Sequence, residues 1–457
     1  MKDKKTFQMS KRFHHKFILT AILTSMVIAF AGAQSIHELT IQDALDLAKK
    51  NNIQIKTALA NLNVQEQTNK QLTADALPTI SAVGTSTNYF QIPVIVLAAN
   101  SFGPGFPPTS QAVSLNQKFN LTGGVQLSQK LFDGAVFVGL KARATSLDYY
   151  RKNIDLTMEN LSVNVYKTYY LLVVSKTQFE LLDANIARAA KLLHDTKIMN
   201  ENGFAEKLDV DKAVVQLANL QTSKENTQTT IVNGYLTLKY LIGIPAADSI
   251  NLATNFDETQ LKGGIPMDLT YRYEDRYDYQ SLQISKQLSD FDVKRYQAVY
   301  YPTLSLNGAY QKNALNNTFD LFSKSSTWYS TSYFGFSLNV PIFSGFSKDA
   351  NLKKARLQSI LVSDQIENLK QSIDVEVRTA RNNFINAIKN MDNQRGNTVL
   401  AESVYDQTKK KYESGLASST DLTNAQTDLI QAQSNYINAL YNAVLAKVDY
   451  LKAIGKI

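Results

Sequence analysis

Side chains that commonly perform chemistry are scarce in this chain. It contains no cysteine and only four histidines, of which His14 and His15 lie in an N-terminal segment interpreted below as removed. The other two, His37 and His194, are too far apart in sequence to form a local metal motif. Phosphate-binding, dinucleotide-binding, zinc-protease and serine-nucleophile motifs are absent. The sequence therefore predicts no catalytic residue, no cofactor and no metal site, and it argues against an enzyme.

Two Asp-x-Asp pairs and one cluster of basic and aromatic residues remain as candidates for ligand binding. The pairs are Asp209/Asp211 and Asp290/Asp292, which could ligate a metal. We interpret Asp209 and Asp211 as the opening of a helix, where acidic side chains complement the helix dipole. The cluster lies within 271–277 and is interpreted as a solvated helix start.

The N-terminus has the pattern of an export signal. Residues 1–33 combine a basic stretch, a 14-residue apolar run and the small-x-small sequence Ala31-Gly32-Ala33. The run is short of the roughly 20 residues that a membrane span needs. We therefore expect residues 1–33 to be a cleaved signal peptide and the mature chain to begin at Gln34, without a cysteine for lipid attachment.

The net charge does not favour a nucleic-acid partner. The chain carries +8, but residues 1–33 contribute +5 of this, which leaves +3 on the remainder. After the signal, the longest apolar run is 92–99, which Pro93 interrupts and which we interpret as a loop. A membrane location would therefore require strands rather than helices.

The chain reads as an internal duplication. The segment that starts at Pro78 matches the one at Pro302, 224 positions later, and the segment at Gly203 matches the one at Gly415, 212 positions later. Between them, the segment at Leu127 matches the one at Leu338, 211 positions later. The fall in offset from 224 to 211 reflects 13 extra residues in the first half, in the Pro/Gly-rich loop. We expect a first structural repeat at 34–244, a linker at 245–270 and a second repeat at 271–457.

Each half alternates strands with long helices. Period-two alternation predicts four strands of about ten residues, near 79–85, 125–131, 303–311 and 333–343. Such strands suit a membrane, although a half-buried soluble hairpin has the same pattern. Nine aromatic residues among the 28 of 319–346 favour a lipid interface.

Proline-free stretches predict the helices. Those at 135–200 and 346–412 would each be about 100 Å long. Shorter helices are expected at 40–76, 206–242, 271–300 and 419–454, and each pair should stack end to end beside one long helix. The last helix carries an a/d heptad seam that is rich in alanine, formed by Leu422, Ala425, Leu429, Ala432, Tyr436, Ala439, Ala443, Ala446, Tyr450 and Ala453.

Taken in order, these motifs resemble the TolC family of outer-membrane efflux proteins over essentially all of Leu39–Ile457. The resemblance rests on the duplicated order of several motifs. They are the opening sequence from Leu39 to Asn52, the Leu77-Pro78 and Tyr301-Pro302 strand entries, the strand exits at Gly134 and Gly345, and the helical turns at Gly203 and Gly415.

The resemblance implies an α+β membrane fold. Four strands from each of three chains would form one 12-stranded β-barrel, and long coiled-coil helices would form a periplasmic α-barrel. It implies a passive exit duct of a tripartite efflux system, with a periplasmic adaptor, an inner-membrane pump and outer-membrane lipid as partners. The alternatives are the duct of a type I protein secretion system and, in a different class, a periplasmic helical adaptor or structural protein without a barrel.

The resemblance also assigns residues at the two helical turns. The tips that would contact the adaptor are Gly203, Phe204, Ala205, Gly415, Leu416 and Ala417. The periplasmic aperture would be lined or closed by Asp209, Tyr412, Asp421 and Asn424. A second aspartate ring of the family is Asn424 here, and its linking arginine is Ala417. Asp421 is also interpreted, with equal weight, as an ordinary helix-start residue.

Overall fold

The computed structural model describes residues 38–101, 103–105, 107–253, 261, 263, 271–320 and 326–457. The predicted signal peptide at 1–33 and much of the predicted linker lie outside the described residues. In chain order the helices are α1 (Ile41–Asn51), α2 (Ile53–Ala74), α3 (Gly134–Glu201), α4 (Lys207–Ile242), α5 (Tyr277–Ala298), α6 (Ser347–Glu413) and α7 (Ser419–Ala453). The strands are β1 (Glu38–Leu39), β2 (Thr79–Asn88), β3 (Ile95–Leu97), β4 (Gln111–Val113), β5 (Phe119–Phe132), β6 (Asn251–Leu252), β7 (Thr303–Asn316) and β8 (Trp328–Asn339).

The long helices and the four main strands of the sequence prediction are confirmed, with corrections at their boundaries. The single helix predicted at 40–76 is two helices, because Asn52 adopts an extended backbone and ends α1. Its side chain accepts the Gln54 N–H at 2.7 Å and so begins α2. The helix predicted at 271–300 starts only at Tyr277, after a 3₁₀ turn.

Strands β2, β5, β7 and β8 form one antiparallel sheet in that spatial order. β5 and β7 have 14 residues each, which is longer than predicted. β8 stops at Asn339, so Val340 and Ile342 of the predicted strand lie beyond it. Within the sheet, Gly124 allows a close approach of two backbones, since a Cβ there would lie 2.4 Å from the Tyr310 carbonyl oxygen.

The helices all leave the sheet at one end. α2 leads into β2 and α5 into β7, while β5 leads into α3 and β8 into α6. The described residues of the loops 89–118 and 317–327 therefore lie at the opposite end. The first of these corrects the sequence interpretation, because the run 92–99 contains β3, which pairs with β4 in a small hairpin.

The two halves of the chain have equivalent cores. Six buried residues of the first core each have a counterpart 212 positions later in the second. The pairs are Leu161 and Ile373, Val165 and Val377, Leu172 and Phe384, Leu238 and Tyr450, Leu241 and Ala453, and Ile242 and Ile454. On this basis we propose 34–244 and 271–457 as the two structural repeats, with 245–270 between them.

The short helices lie along the long ones, as the sequence predicts. α2 and α4 contact α3, and α5 and α7 contact α6. Most of the predicted α7 seam is buried, with Leu422, Ala425, Leu429, Ala439, Ala443, Tyr450 and Ala453 in the core. Among the described helices, none combines the length and the apolar character needed to cross a membrane.

Candidate functional site at the helical tips

Two turns of equivalent geometry join the helices at the end farthest from the sheet. Gly203 and Gly415 have φ values of 79° and 72°, which a glycine adopts without strain. The next residue in each turn donates its N–H back to the helix, Phe204 to Met199 O at 2.7 Å and Leu416 to Lys411 O at 2.8 Å. The side chains of Phe204 and Leu416 are 79% and 80% exposed. Each tip thus presents one large apolar side chain to its surroundings.

The residues that follow, Ala205 and Ala417, are half-buried at the inner side of their turns. Ala205 is fixed through its carbonyl oxygen, which accepts the Asn200 side-chain amide at 2.8 Å. These six tip residues form two turns that are closed by backbone hydrogen bonds.

Asp421, the third residue of α7, forms a reciprocal cap with Ser418, the residue before the helix. Its carboxylate accepts the Ser418 N–H at 2.9 Å and the Ser418 hydroxyl at 2.7 Å, and its own N–H donates to Ser418 Oγ at 3.1 Å. The hydrogen bonds from Ser418 lower the pKa of the Asp421 carboxyl. Asp421 and Asn424 are both exposed and lie three positions apart on α7, so they share a face. Within one chain the two side chains are therefore neighbours. That Asp421 forms a ring with its equivalents in other copies of the chain stays a prediction.

Asp209 belongs to a polar bridge between the first turns of α4 and α7. Thr420 donates its hydroxyl to Asp209 Oδ1 at 3.4 Å, and Lys212 Nζ donates to Thr420 Oγ1 at 3.4 Å. Lys212 Nζ also lies 3.8 Å from Asp209 Oδ1. The sequence analysis missed Lys212 and Thr420. The three-residue spacing of Asp209 and Lys212 on one helix was the only local signal, and it says nothing about Thr420, 208 positions beyond Lys212.

Tyr412 forms a second, separate bridge, between α6 and α3. Its hydroxyl donates to Met199 Sδ at 3.0 Å, and its ring packs against a cluster that contains Leu192 and Leu422. Burial raises the pKa of the Tyr412 hydroxyl. The hydrogen bonds described for Tyr412 and Asp209 thus go to different partners, and the structure brings the two residues to one end of the molecule without joining them.

The sequence interpretation of 271–277 as a solvated helix start is wrong for Arg276. This side chain is buried, with the residue only 7% exposed. Its guanidinium donates to both oxygens of Asp278, at 3.1 and 2.7 Å, and to Glu376 at 2.7 Å. A fourth hydrogen bond reaches the Ala453 carbonyl oxygen at 3.2 Å. Arg276 therefore fastens the start of α5 to α6 and to the end of α7.

Two tyrosines beside Arg276 are also anchored. Tyr271 and Tyr273 donate their hydroxyls to one carboxylate oxygen of Asp374, at 2.5 and 2.8 Å. Burial, together with the hydrogen bond to Asp374, raises the pKa of Tyr271 to about 12. Tyr271, Tyr273 and Arg276 thus join this segment to α6, whereas Arg272 is exposed.

Both carboxylates of the second Asp-x-Asp pair contact basic side chains of the protein. Asp290 accepts hydrogen bonds from Lys286 at 2.6 Å and from Ser359 at 2.8 Å. Asp292 pairs with Arg295 at 3.1 Å. Across the described part of the chain, no group of three or more histidine or acidic side chains is arranged to hold a metal ion.

The fold and these tips can be compared with known proteins. A family model described as outer membrane efflux protein matches residues 275–456. The outer membrane protein TolC of Vibrio cholerae serotype O1 is 22% identical over 339 residues, which cover 74% of this chain and 77% of that protein. The probable efflux pump outer membrane protein TtgC of Pseudomonas putida is 22% identical over 431 residues, which cover 92% of this chain and 84% of that protein.

Solved structures share the fold over nearly the whole chain. A crystal structure of CusC superposes with a TM-score of 0.75 at 14% identity, covering 91% of this chain and 92% of that chain. The outer membrane protein VceC of Vibrio cholerae superposes with a TM-score of 0.71 at 16% identity, covering 91% of this chain and 96% of that chain. In its family match, its relatives and its fold, this chain is therefore similar to the outer membrane efflux proteins of the TolC family.

Proposed function

We propose that the protein is the passive outer-membrane duct of an efflux system and that three copies build it. The observation that carries the proposal is the four-stranded sheet, whose edge strands β2 and β8 lie unpaired at its two sides. An open sheet with free edges is a template for pairing with another chain. β2 and β8 run in opposite directions, so the β8 edge of one copy can pair with the β2 edge of the next in an antiparallel manner.

The side chains of the sheet support the same arrangement. The apolar residues Ile80, Phe334, Phe336 and Leu338 are exposed in the single chain. They occupy one face of the sheet, since Phe336 pairs across from Leu306 and Leu338 across from Leu304. That face suits lipid, whereas Gln126, Ser128 and Asn307 on the other face suit water. Twelve strands from three copies would close without a free edge.

The long helices extend the duct away from the membrane, and the tips at Gly203 and Gly415 form its periplasmic end. TolC-family channels work within tripartite systems. In this protein, we propose, the exposed Phe204 and Leu416 contact a periplasmic adaptor, and an inner-membrane pump supplies energy and substrate. Asp421 and Asn424 line the aperture. The chain itself is a transport protein without catalytic chemistry.

Two measurements test this function. The mass of the detergent-extracted protein, determined by light scattering in mild detergent, should be that of a trimer; a monomeric mass would contradict the shared sheet. Deletion of the gene in its own host should raise the cellular accumulation of a fluorescent efflux dye, and the wild-type gene should reverse this. Unchanged accumulation together with loss of a secreted protein would instead indicate a protein-secretion duct.

A further inference from the structure

Residues 89–117, which we call the finger, join β2 to β5 at the end of the sheet opposite the helices. The finger contains no Asp, Glu, Lys, Arg or His in 29 residues, whereas 19% of the whole chain is charged. The corresponding loop 317–327 between β7 and β8 has 11 residues and includes Asp320. The uncharged insertion is therefore a property of the first repeat alone.

The finger contains a small β-hairpin, formed by β3 and β4. β3 and β4 pair with Ile95 opposite Val113 and Val96 opposite Ala112. Beyond this hairpin, the Asn100 N–H donates to the Pro107 carbonyl at 3.2 Å. These bonds set the direction in which the apolar side chains of the hairpin project.

The base of the finger is fastened to the sheet. The Tyr89 N–H donates to the Lys118 carbonyl at 2.8 Å, which continues the β2–β5 ladder by one step. The Lys118 N–H donates to Asn317 Oδ1 at 3.2 Å, and the rings of Phe119 and Phe319 meet edge to face at 5.4 Å. The finger thus stands at a fixed place above the end of the sheet.

The finger exposes large apolar side chains that the single chain leaves uncovered. The exposed fractions are 98% for Phe90, 58% for Val94, 50% for Ile95, 66% for Val96 and 71% for Leu115. Large exposed apolar side chains on an ordered hairpin mark an interaction site, because their burial is favourable and their exposure to water is not.

The place of the finger indicates what covers it. It begins directly after β2, an edge strand, so it stands at the seam where the β8 edge of another copy would pair. Three copies around one axis would bring three fingers to the same mouth of the duct. Because the finger carries no charge, its copies would meet without the electrostatic repulsion that like charges impose.

We propose that the fingers of three copies pack against one another through the β3–β4 hairpin and form an uncharged, apolar collar at the outer mouth of the duct. The proposal rests on the trimeric duct described above. An apolar constriction excludes hydrated ions by dewetting. The collar would limit leakage through the outer end while export is idle and would part for an apolar substrate.

Single cysteines test the collar directly, because the natural chain has none. Val94→Cys, Ile95→Cys and Val96→Cys sample both faces of the hairpin, since neighbouring residues of a strand point to opposite sides. After treatment of intact outer membranes with a short bifunctional maleimide, we expect at least one of them to give cross-linked dimers on denaturing gels. The matched control is Phe334→Cys on the lipid face of β8, which should stay monomeric.

The competing occupant is lipid. A fluorophore on the same cysteines should not be quenched by nitroxide-labelled lipids in proteoliposomes, whereas a fluorophore on Phe334→Cys should be. No cross-link from any of the three positions, or strong lipid quenching at all three, overturns the collar. Light scattering of each variant distinguishes failure of the collar from failure of the trimeric duct. A trimeric mass without cross-links refutes only the collar, whereas a monomeric mass refutes the proposed duct.

Discussion

Asn52 and Arg276 hold equivalent positions in the two halves of the chain. Each begins a helix, and each donates a hydrogen bond to a carbonyl near the end of the helix stacked against it. Asn52 Nδ2 reaches Leu241 O at 2.8 Å, and Arg276 Nη1 reaches Ala453 O at 3.2 Å. The donors are 224 positions apart and the acceptors 212, as in the sequence repeat. Each acceptor lies two residues before a glycine with positive φ, Gly243 or Gly455. These two hydrogen bonds are the joints at which the short helices stack end to end.

Arg276→Met should lower the stability of the second joint by about 2 kcal/mol. Loss of one partner from a buried ion pair typically costs about 3–5 kcal/mol, and the partial exposure of Asp278 and Glu376 reduces that figure. Thermal unfolding of the detergent-extracted protein measures the change. The matched control is Arg272→Met, whose exposed pair with Glu274 at 3.7 Å should contribute about 0–1 kcal/mol. Equal shifts for the two variants would show that burial of Arg276 has no special importance.

Asn52→Asp should destabilise the first joint although aspartate caps helices as well as asparagine does. The variant keeps the acceptor for Gln54 N–H and loses the donor to Leu241 O. We expect a cost of about 1–3 kcal/mol, because a buried carbonyl oxygen would lose its partner next to a new charge. The thermal midpoint measures the effect, and Asn63→Asp on the exposed side of α2 serves as the control. An unchanged midpoint would mean that the Asn52 amide is dispensable.

The cap of α7 should weaken in acid. Hydrogen bonds from Ser418 lower the pKa of Asp421 in the folded protein. Its contribution to stability is therefore complete above the unfolded carboxyl pKa of about 3.9 and is lost as the pH falls through the lower folded pKa. Hydrogen exchange of peptides from 416–425, corrected for its intrinsic pH dependence, should accelerate over that range. In Asp421→Asn the exchange should be fast already at neutral pH. Constant protection in the wild type down to pH 2 would contradict the capping role.

The aperture role of Asp421 has its own test. Three carboxylates near one axis attract cations, so Asp421→Asn should reduce the cation selectivity of the channel in planar bilayers and relieve block by divalent ions, with the trimer intact. Asn424 supplies no second ring of charge, so block in the wild type should be weaker than in a variant with Asn424→Asp. Unchanged selectivity and block in Asp421→Asn would leave Asp421 as a helix cap only.

Lys212→Met should loosen the bridge between α4 and α7. The variant removes the ammonium that contacts both Asp209 and Thr420, and it keeps the aliphatic part of the side chain. We expect a higher single-channel conductance, because the first turns of the two helices separate more easily at the periplasmic end. Lys207→Met, an exposed substitution five residues earlier on α4, is the control. A conductance that is the same in both variants would argue that the bridge does not restrict the entrance.

The sequence by itself determined the long helices and the main strands, because the periodicity and the glycine turns that specify them act over a few residues. The α7 seam illustrates this: a 3,4 spacing of small and apolar residues requires one buried face, and most of those residues are buried. The turns at Gly203 and Gly415 were likewise readable, since a left-handed residue after a helix favours glycine.

Only the tertiary structure decided how distant segments meet. The contact of Lys212 with Thr420 and that of Arg276 with Ala453 span 208 and 177 positions. Such contacts leave no local pattern, because side chains far apart in sequence are placed together by the packing of α4, α5 and α7 and not by the residues beside them. The burial of Arg276 has the same origin. An arginine in a sequence predicts an exposed side chain, but Asp278, Glu376 and the end of α7 compensate the charge of Arg276 once the chain is folded.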